Sequence, residues 1–259
     1  MKIIVPIKQI LDPRGLTFRR DKERMFVNVE EHIIGPASKA AIEAALRLKD
    51  AGDAHVIAIS VGEPQADDAL REALALGCDA AFLLTDPAFK DADISVTARI
   101  LATAIEKLEG ADLIIVGRQS GDTGAGQIGP RVAQALDYAQ VTDVYSLAVG
   151  DGIIKATRRW GQGYATVEAL LPSVVTAAPE AFPPRYAHGA RIMSAYREWD
   201  VPVWSAEDLE LAEAALTPLL AWRRESFPPP LEVGERFAGT PADIAQQAVM
   251  ALRQQNVIA

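Results

Sequence analysis

The chain has 259 residues, of which 49% are hydrophobic and 24% are charged, and its formal net charge is −9. This composition allows a globular core without disulfides or metals, and the negative charge disfavours nucleic acid and anionic membranes as partners. The single cysteine, Cys78, excludes an intramolecular disulfide, and the three histidines lack the spacing of a zinc site.

The N-terminus begins with a short apolar run at residues 3–7. This run is too short for the apolar region of a signal peptide, and no apolar window long enough for a membrane span follows it. We therefore expect a cytoplasmic protein with no direct insertion into a membrane.

Short apolar runs and amphipathic segments alternate through the first half of the chain. The alternation predicts an α/β fold with a parallel sheet covered by helices, in which ligands bind beyond the carboxyl ends of the strands. The predicted strands are residues 2–7, 55–61, 81–84 and 112–116, and the predicted helices are residues 36–51, 64–76 and 94–108.

The second half of the chain predicts a β-rich extension of this sheet, followed by an extended tail. The expected β-segments are residues 141–149, 152–157, 165–169 and 173–178. After Pro179 the chain is rich in proline, which favours extended backbone. Only residues 240–253 predict a stable helix there, with Thr240 as N-cap and Pro241 in the first turn. From the residues alone, the tail either embraces another subunit or wraps its own domain.

A glycine-rich loop lies between the fourth predicted strand and a helical run at residues 131–136, and its Gly124, Gly126 and Gly129 form the pattern G-x-G-x-x-G. Glycines let a backbone approach a phosphate closely, and the next helix would point its first N–H groups at the anion, with Thr123 or Gln127 as a further donor. The alternative is a loop that merely precedes a helix. The dinucleotide-binding version of this pattern follows the first strand, not the fourth.

Two cations follow predicted strands and could face a ligand at the carboxyl edge of the sheet. Lys8 follows the first strand and Arg118 follows the fourth, although either is equally consistent with a surface cation. The sequence contains no G-x-S-x-G elbow, no phosphate loop of the triphosphate-hydrolysing type and no acid–base set. We therefore predict no catalytic residue and no metal site.

Several segments, in their order and spacing, resemble the beta subunit of the electron-transfer flavoproteins. The opening Ile4 to Asp12 resembles the start V-x-V-K-x-x-x-D of that family. The other segments that carry the resemblance are residues 41–49, 60–62, 70–79, 117–129, 171–176 and 184–187. Together they cover nearly the whole chain.

The resemblance implies a Rossmann-like, adenine-nucleotide-binding domain over residues 1–182 and a C-terminal arm with a terminal helix over residues 183–259. The arm would embrace an alpha subunit that holds FAD, and this subunit would bind AMP or a second FAD. The heterodimer would carry electrons from a dehydrogenase or NADH to a quinone oxidoreductase or similar acceptor. The alternatives are an electron-bifurcating member with FAD in this subunit, or a stand-alone adenine-nucleotide-binding sensor or enzyme.

The nucleotide contacts that the resemblance implies lie at the ends of predicted strands and in the glycine-rich loop. They are Pro6, Lys8, Gly35, Val61, Asp122, Gly126, Gln127, Ile128 and Gly129, and Thr123, Gly124 and Ala125 complete the predicted cradle.

Three segments depart from the family pattern. Residues 35–38 read Gly-Pro-Ala-Ser, so the asparagine that contacts the nucleotide in the family is missing. In the segment resembling the dehydrogenase-docking region, Gly189 replaces an anchoring leucine, which predicts a different donor or a different docking surface. Pro13 or Arg14 stands where some members place a tyrosine near the flavin. The run Gln127 to Pro130 resembles bifurcating members more than AMP-binding ones.

Overall fold

The structure is a computed structural model that describes residues 1–22, 24–221 and 234–258, with the side chain of Arg20 left out. The chain divides into two compact units, Met1–Trp222 and Arg223–Ala259. Residues 222–233, which include Trp222 and part of the predicted arm, lie outside the described residues.

The first unit is an α/β domain built on one large sheet and two small ones. Its strands are β1 (Lys2–Pro6), β2 (Gln9–Leu11), β3 (Leu16–Arg19), β4 (Arg24–Val27), β5 (His32–Ile34), β6 (His55–Val61), β7 (Ala80–Leu84), β8 (Leu113–Gly117), β9 (Ala139–Gly150), β10 (Ile153–Trp160), β11 (Gly163–Leu170), β12 (Ser173–Ala177) and β13 (Val203–Trp204). Its helices are α1 (Pro36–Ala51), α2 (Asp67–Leu76), α3 (Ile94–Lys107), α4 (Ile128–Leu136) and α5 (Gly189–Arg197).

The large sheet has the strand order β11-β10-β9-β12-β8-β1-β6-β7-β13 within the described residues. All neighbours from β9 to β13 are parallel, and β10 and β11 continue the sheet as antiparallel strands. The predicted α/β fold with a parallel sheet, flanking helices and a β-rich extension is confirmed.

The parallel strands are apolar on both faces because helices cover both sides of the sheet. In β1, Ile3 and Val5 pack into the layer that contains α1 and α2, whereas Ile4 packs into the layer that contains α3 and α4. Cys78 is buried in the first layer, and burial raises the pKa of its thiol to about 12. This thiol therefore behaves as a structural apolar group.

Strand β9 bends sharply just after it leaves the parallel sheet. Asp143 adopts a left-handed backbone conformation (φ 56°), and the pairing of β9 with β12 shifts register between Val175 and Ala177. Beyond the bend, Leu147 and Val149 pack against the same apolar layer as Met1 at the start of β1. The left-handed residue and the register shift are typical of a β-bulge, which increases the local twist of the strand.

Residues 183–221, the first part of the predicted arm, lie on the same unit as the sheet. Helix α5 is held to α2 by Arg71, whose Nη1 donates to the carbonyl oxygens of Ala195 and Trp199. Strand β13 adds to the sheet through Leu83, whose N–H donates to the Pro202 carbonyl. Both elements were absent from the sequence-based interpretation. The boundary between the domain (residues 1–182) and the arm (residues 183–259) stays a prediction.

The second unit contains helix α6 (Pro241–Gln254). Thr240 caps its N-terminus in a capping box, in which the Thr240 hydroxyl and the Asp243 carboxylate accept from each other's backbone N–H. Pro241 occupies the first turn, as predicted. The helix is amphipathic, since Ile244, Val249 and Leu252 share one side and are each about two-fifths exposed.

Candidate nucleotide site

The strand order produces a crevice at the carboxyl ends of β1 and β8. From β1 the chain adds β6 and then β7 on one side, and then crosses to add β8 on the other side of β1. Because of this reversal, the connections that follow β1 and β8 lead away from each other and leave a gap between them. Ligands of open parallel sheets bind in such gaps. We call this place the switch-point crevice, and it is formed by the segments that follow Pro6 and Gly117.

The β1 side of the crevice is formed by Pro6, which is buried, and Lys8, which is exposed. The backbone N–H of Lys8 donates to the Ser38 hydroxyl over 3.0 Å, and the Lys8 carbonyl accepts from the Gly35 N–H over 3.0 Å. These bonds fix the start of α1 beside the end of β1. Ser38, which the sequence comparison treated only as a departure from the family, is therefore a structural anchor of the crevice.

The start of α1 also packs tightly on the end of β8. A Cβ placed on Gly117 would lie only 2.6 Å from the backbone carbonyl carbon of Ala37. Glycine is required at this position because any side chain would push the helix away from the strand. Val61 ends β6, the other neighbour of β1, and is half-buried.

The β8 side of the crevice is the glycine-rich loop, whose residues 121–127 are exposed. Gly124 and Gly126 have left-handed φ angles of 62° and 63°. A Cβ on Gly124 would meet no atom of the chain within 4 Å, so its backbone is open to an approaching group. Within the loop, the Gly124 N–H donates to the Ser120 carbonyl, and the Thr123 and Ser120 hydroxyls lie 2.8 Å apart. Ala125 lies between the two glycines.

An ion pair joins the two sides of the crevice. Lys8 Nζ lies 2.5 Å from Asp122 Oδ2. Burial tends to raise the pKa of Asp122, but the hydrogen bonds from Lys8 and Ser120 outweigh it and hold the pKa below its ordinary value. Asp122 therefore stays ionised at neutral pH and neutralises the Lys8 charge.

The loop leads into α4, which begins at Ile128, three residues earlier than the sequence predicted. Its N-cap, Gln127, makes no side-chain capping bond, and Arg131 Nε holds the Gln127 Oε1 at 3.1 Å. Gly129 therefore lies in the helix, and a Cβ there would lie 2.5 Å from Thr176 Cγ2. Besides its predicted place in the phosphate cradle, Gly129 therefore allows close packing of α4 on β12.

Arg118 does not point freely into the crevice. Its Nη1 donates to Asp143 Oδ1 and to Glu180 Oε1, both at 3.0 Å, and Tyr145 donates its hydroxyl to the same Glu180 oxygen. The hydrogen bonds from Tyr145 and Arg118 lower the pKa of Glu180 to about 2. Sequence reasoning missed this cluster because Asp143 and Glu180 lie 25 and 62 residues from Arg118.

The crevice has the chemistry of an anion-binding site. Its donors are the N-terminus of α4, which has no side-chain cap, the open backbone of the loop and the amide of Gln127, and Lys8 is already neutralised by Asp122. The predicted contacts lie on the segments that form its two sides, except Val61, which ends the adjoining strand, and Gly129 is buried against Thr176. Among the described residues, no group of His, Cys, Asp and Glu could hold a metal ion, and no helix there is long and apolar enough to cross a membrane.

Several known proteins are similar to this chain over most of its length. A family model described as electron transfer flavoprotein domain matches residues 25–209. The chain is 39% identical over 216 residues to the electron transfer flavoprotein subunit beta of Clostridium acetobutylicum, covering 83% of each protein. Over 265 residues and the full length of each protein, it is 37% identical to the same subunit of Thermoanaerobacterium thermosaccharolyticum and 35% identical to the caffeyl-CoA reductase-Etf complex subunit CarD of Acetobacterium woodii.

Proposed function

Because this chain belongs to the beta-subunit family of the electron transfer flavoproteins, we propose that it works as one half of a heterodimer whose alpha-type partner holds the redox FAD. The heterodimer takes electrons from a dehydrogenase or from NADH and passes them to a quinone-linked or other acceptor. FAD supplies the redox chemistry, whereas this chain supplies cofactor placement and electrostatics. The isolated chain turns over no substrate.

We further propose that the switch-point crevice binds an adenine nucleotide. The observation that carries this proposal is the convergence of Lys8, Gly35 and the loop 122–129 on one crevice, although these residues are far apart in sequence. The phosphate would lie against the open backbone at Gly124 and Gly126 and the N-terminus of α4. The carboxyl ends of β1 and β6, at Pro6 and Val61, would flank the nucleotide.

The ligand of this crevice is AMP or a second FAD. Both carry the adenylate phosphate that the crevice suits, so the phosphate site does not distinguish them. The run Gln127 to Pro130 favours FAD by resemblance, and a second FAD would make the complex a candidate for electron bifurcation. The distinction is a matter of stoichiometry, which can be measured directly.

Helix α6 provides the surface by which the arm would hold the alpha-type subunit. Its apolar side, formed by Ile244, Val249 and Leu252, remains about two-fifths exposed. An amphipathic helix gains most of its stability by burying such a side against another element. We therefore expect removal of residues 234–259 to weaken heterodimer formation without unfolding the first unit.

The deciding experiment is to co-express the chain with an alpha-type subunit, purify the complex, and quantify FAD and AMP released per heterodimer. Two FAD and no AMP would assign a second flavin to this subunit, and one FAD with one AMP would assign a simple carrier. A chain that stays alone and colourless beside its partner would overturn the proposal and favour a stand-alone nucleotide-binding protein.

A matched pair of glycine variants tests the crevice itself. Gly124→Ala and Gly152→Ala both place a methyl group on a left-handed residue, at φ 62° and 77°, and neither Cβ would meet an atom of the chain within 4 Å. Both should therefore cost similar stability, about 1 kcal/mol. Only Gly124→Ala should also reduce the nucleotide content of the complex. Equal nucleotide content in the two variants would place the phosphate elsewhere.

A further inference from the structure

A cluster of charged side chains lies beside the switch-point crevice, where β8, β12 and the parallel part of β9 end. Arg118 directly follows β8, Asp143 lies at the bend of β9, and Glu180 follows β12. We call these three residues, together with Tyr145, the Arg118 cluster. None of them is among the predicted nucleotide contacts, so any role of the cluster in nucleotide binding is indirect.

The Arg118 cluster fixes the first end of the glycine-rich loop. The Arg118 N–H donates to the Ala177 carbonyl over 2.9 Å, and its Nη1 donates to Asp143 and Glu180, both at 3.0 Å. Farther along the loop, a Cβ on Gly126 would lie 3.4 Å from the Arg118 carbonyl oxygen. The middle of the loop therefore packs on a residue that is held through both its backbone and its side chain.

The same cluster reaches the other end of the loop through Thr176. The Asp143 N–H donates to Thr176 Oγ1 over 2.8 Å, and Thr176 is buried. The methyl carbon of Thr176 lies under Gly129, where a Cβ would approach it to 2.5 Å. The hydroxyl of Thr176 thus holds the bend of β9, while its methyl group supports the first turn of α4. Both ends of the loop depend on one connected set of side chains.

The charges of the Arg118 cluster are internally balanced. Arg118 brings one positive charge, and Asp143 and Glu180 bring two negative ones. The hydrogen bond to Asp143 raises the pKa of Arg118, and that of Glu180 lies at about 2, so all three groups are ionised at neutral pH. Because its charge is already matched, Arg118 is poorly suited to hold a phosphate directly.

We propose that Arg118 is a positioning residue of the phosphate site, which holds both ends of the glycine-rich loop in the conformation that binds the phosphate. It acts through Asp143, Glu180 and Thr176 and touches no nucleotide atom itself. A loop whose ends are fixed in advance loses less conformational freedom when it binds a ligand, and its affinity is higher for that reason. The inference rests on the proposed function, because it requires a nucleotide in the crevice.

The first test removes the guanidinium and measures the phosphate contribution to binding. The full chain, freed of bound nucleotide, is titrated with AMP and with adenosine, which lacks the phosphate. The ratio of the two Kd values reports the phosphate site alone. Arg118→Met is compared with Arg197→Met, which changes an exposed arginine of α5. Arg118→Lys is the conservative variant, since lysine keeps a positive charge for the carboxylates.

The second test breaks the link to α4 without changing any charge. Thr176→Val keeps a methyl group under Gly129 but removes the hydroxyl that accepts from Asp143. Thr97→Val is the control, because it also removes a threonine hydroxyl that is hydrogen-bonded to backbone, in the first turn of α3. The melting temperature of every variant is recorded, so that binding is compared only between folded chains.

We expect Arg118→Met to raise the Kd for AMP on the order of tenfold and Thr176→Val to raise it about threefold, because the loop is then no longer fixed in advance. The Kd for adenosine should change by less than about twofold in both variants, since adenosine makes no use of the phosphate site. Arg118→Lys should recover part of the AMP affinity. Both control variants should bind AMP as the unmodified chain does.

The failures of the two proposals are distinguishable. An unmodified chain that binds AMP no more tightly than adenosine would overturn the proposed phosphate site. If AMP and adenosine were weakened equally in the variants, or not at all, the positioning role alone would be overturned. If Arg118→Met weakened AMP binding while Thr176→Val behaved as its control, Arg118 would act on the phosphate through its charge, which would also contradict the positioning role. If Arg118→Met did not fold, Thr176→Val and Arg118→Lys would decide by the same ratio.

Discussion

The parallel sheet and the β3–β4 hairpin place their apolar side chains in opposite situations. Ile4 and Ile114 in the sheet are fully buried, because helices of the same chain cover both faces. Met25 and Val27 in the hairpin are about half exposed, although they alternate as regularly as any strand. The sheet therefore buries its own apolar residues, whereas the hairpin leaves Met25 and Val27 half exposed within the described part of the chain.

The largest expected effect is a difference in unfolding free energy between the two regions. Ile114→Ala would leave a cavity between the sheet and α3 and should cost about 2–5 kcal/mol. Met25→Ala removes an exposed side chain and should cost less than about 0.5 kcal/mol in the isolated chain. Urea unfolding of both variants measures this directly. Similar losses would mean that the hairpin is packed as tightly as the core.

A second test concerns close packing inside the sheet region. Gly117→Ala would place a methyl group 2.6 Å from the Ala37 backbone, and it should cost about 1–3 kcal/mol through overpacking. Gly150→Ala is the control, because a Cβ there meets nothing within 4 Å, and it should change stability by less than about 0.5 kcal/mol. Thermal unfolding compares the two. If the two variants had the same melting temperature, the contact between α1 and β8 would be looser than the structure indicates.

A third test concerns the segment that follows β12 and rests on the domain. Burial tends to raise the pKa of Glu43, but hydrogen bonds from Arg185 and Arg47 outweigh it and hold the pKa below 4.5. A carboxyl group whose pKa is lower in the folded than in the unfolded protein stabilises the fold at pH values above its unfolded-state pKa. This stabilisation is lost as the pH falls through the folded-state pKa.

The change Glu43→Gln should therefore lower the unfolding free energy by about 1–2 kcal/mol at pH 7. It should also reduce the dependence of stability on pH below about 4.5, the ordinary glutamate value. Unfolding measured from pH 7 to pH 3 checks both expectations. Asp50→Asn is the comparison, since Asp50 binds the same Arg185 but is exposed. If the unfolding free energy of Glu43→Gln changed with pH as it does in the unmodified chain, ionised Glu43 would not have this stabilising role.

The smallest expected effect lies in α6, which resembles the hairpin in exposing its apolar side. Thr240→Ala removes the hydroxyl that accepts from the Asp243 N–H and should cost about 1 kcal/mol of helix stability. Amide hydrogen exchange in the first turn of α6 measures this, with Gln246→Ala as a control on the exposed side. Binding of the alpha-type subunit should slow exchange in both variants, because α6 would then be buried.

The elements that sequence patterns predicted well are those that the chain itself buries. Strand β6 and helix α1 have the predicted bounds, because their apolar residues face a complete layer on each side. The start of α4 was predicted three residues late, since glycine and proline in Gly129-Pro130 are typical of loops as well as of first helical turns.

The elements that were missed depend on distant or external contacts. Strands β3 and β4 mix arginine with apolar residues, and their pairing shows no burial that a sequence pattern could reveal. Helix α5 begins at a glycine and is held by Arg71, more than a hundred residues earlier in the chain. The glycine-rich loop itself was recognisable, but the Lys8 to Asp122 ion pair is set by the strand order and by no local signal.

The central place of β1 in the sheet also determines when the protein can become functional during its synthesis. Ile3 pairs with Val56 on one side and with Leu113 on the other, so one edge of β1 stays open until the ribosome has released β8. Pairing across such separations is slow compared with local folding. The nascent chain must therefore hold a half-formed sheet while residues 62–112 are made, and the switch-point crevice can form only after α4 has emerged.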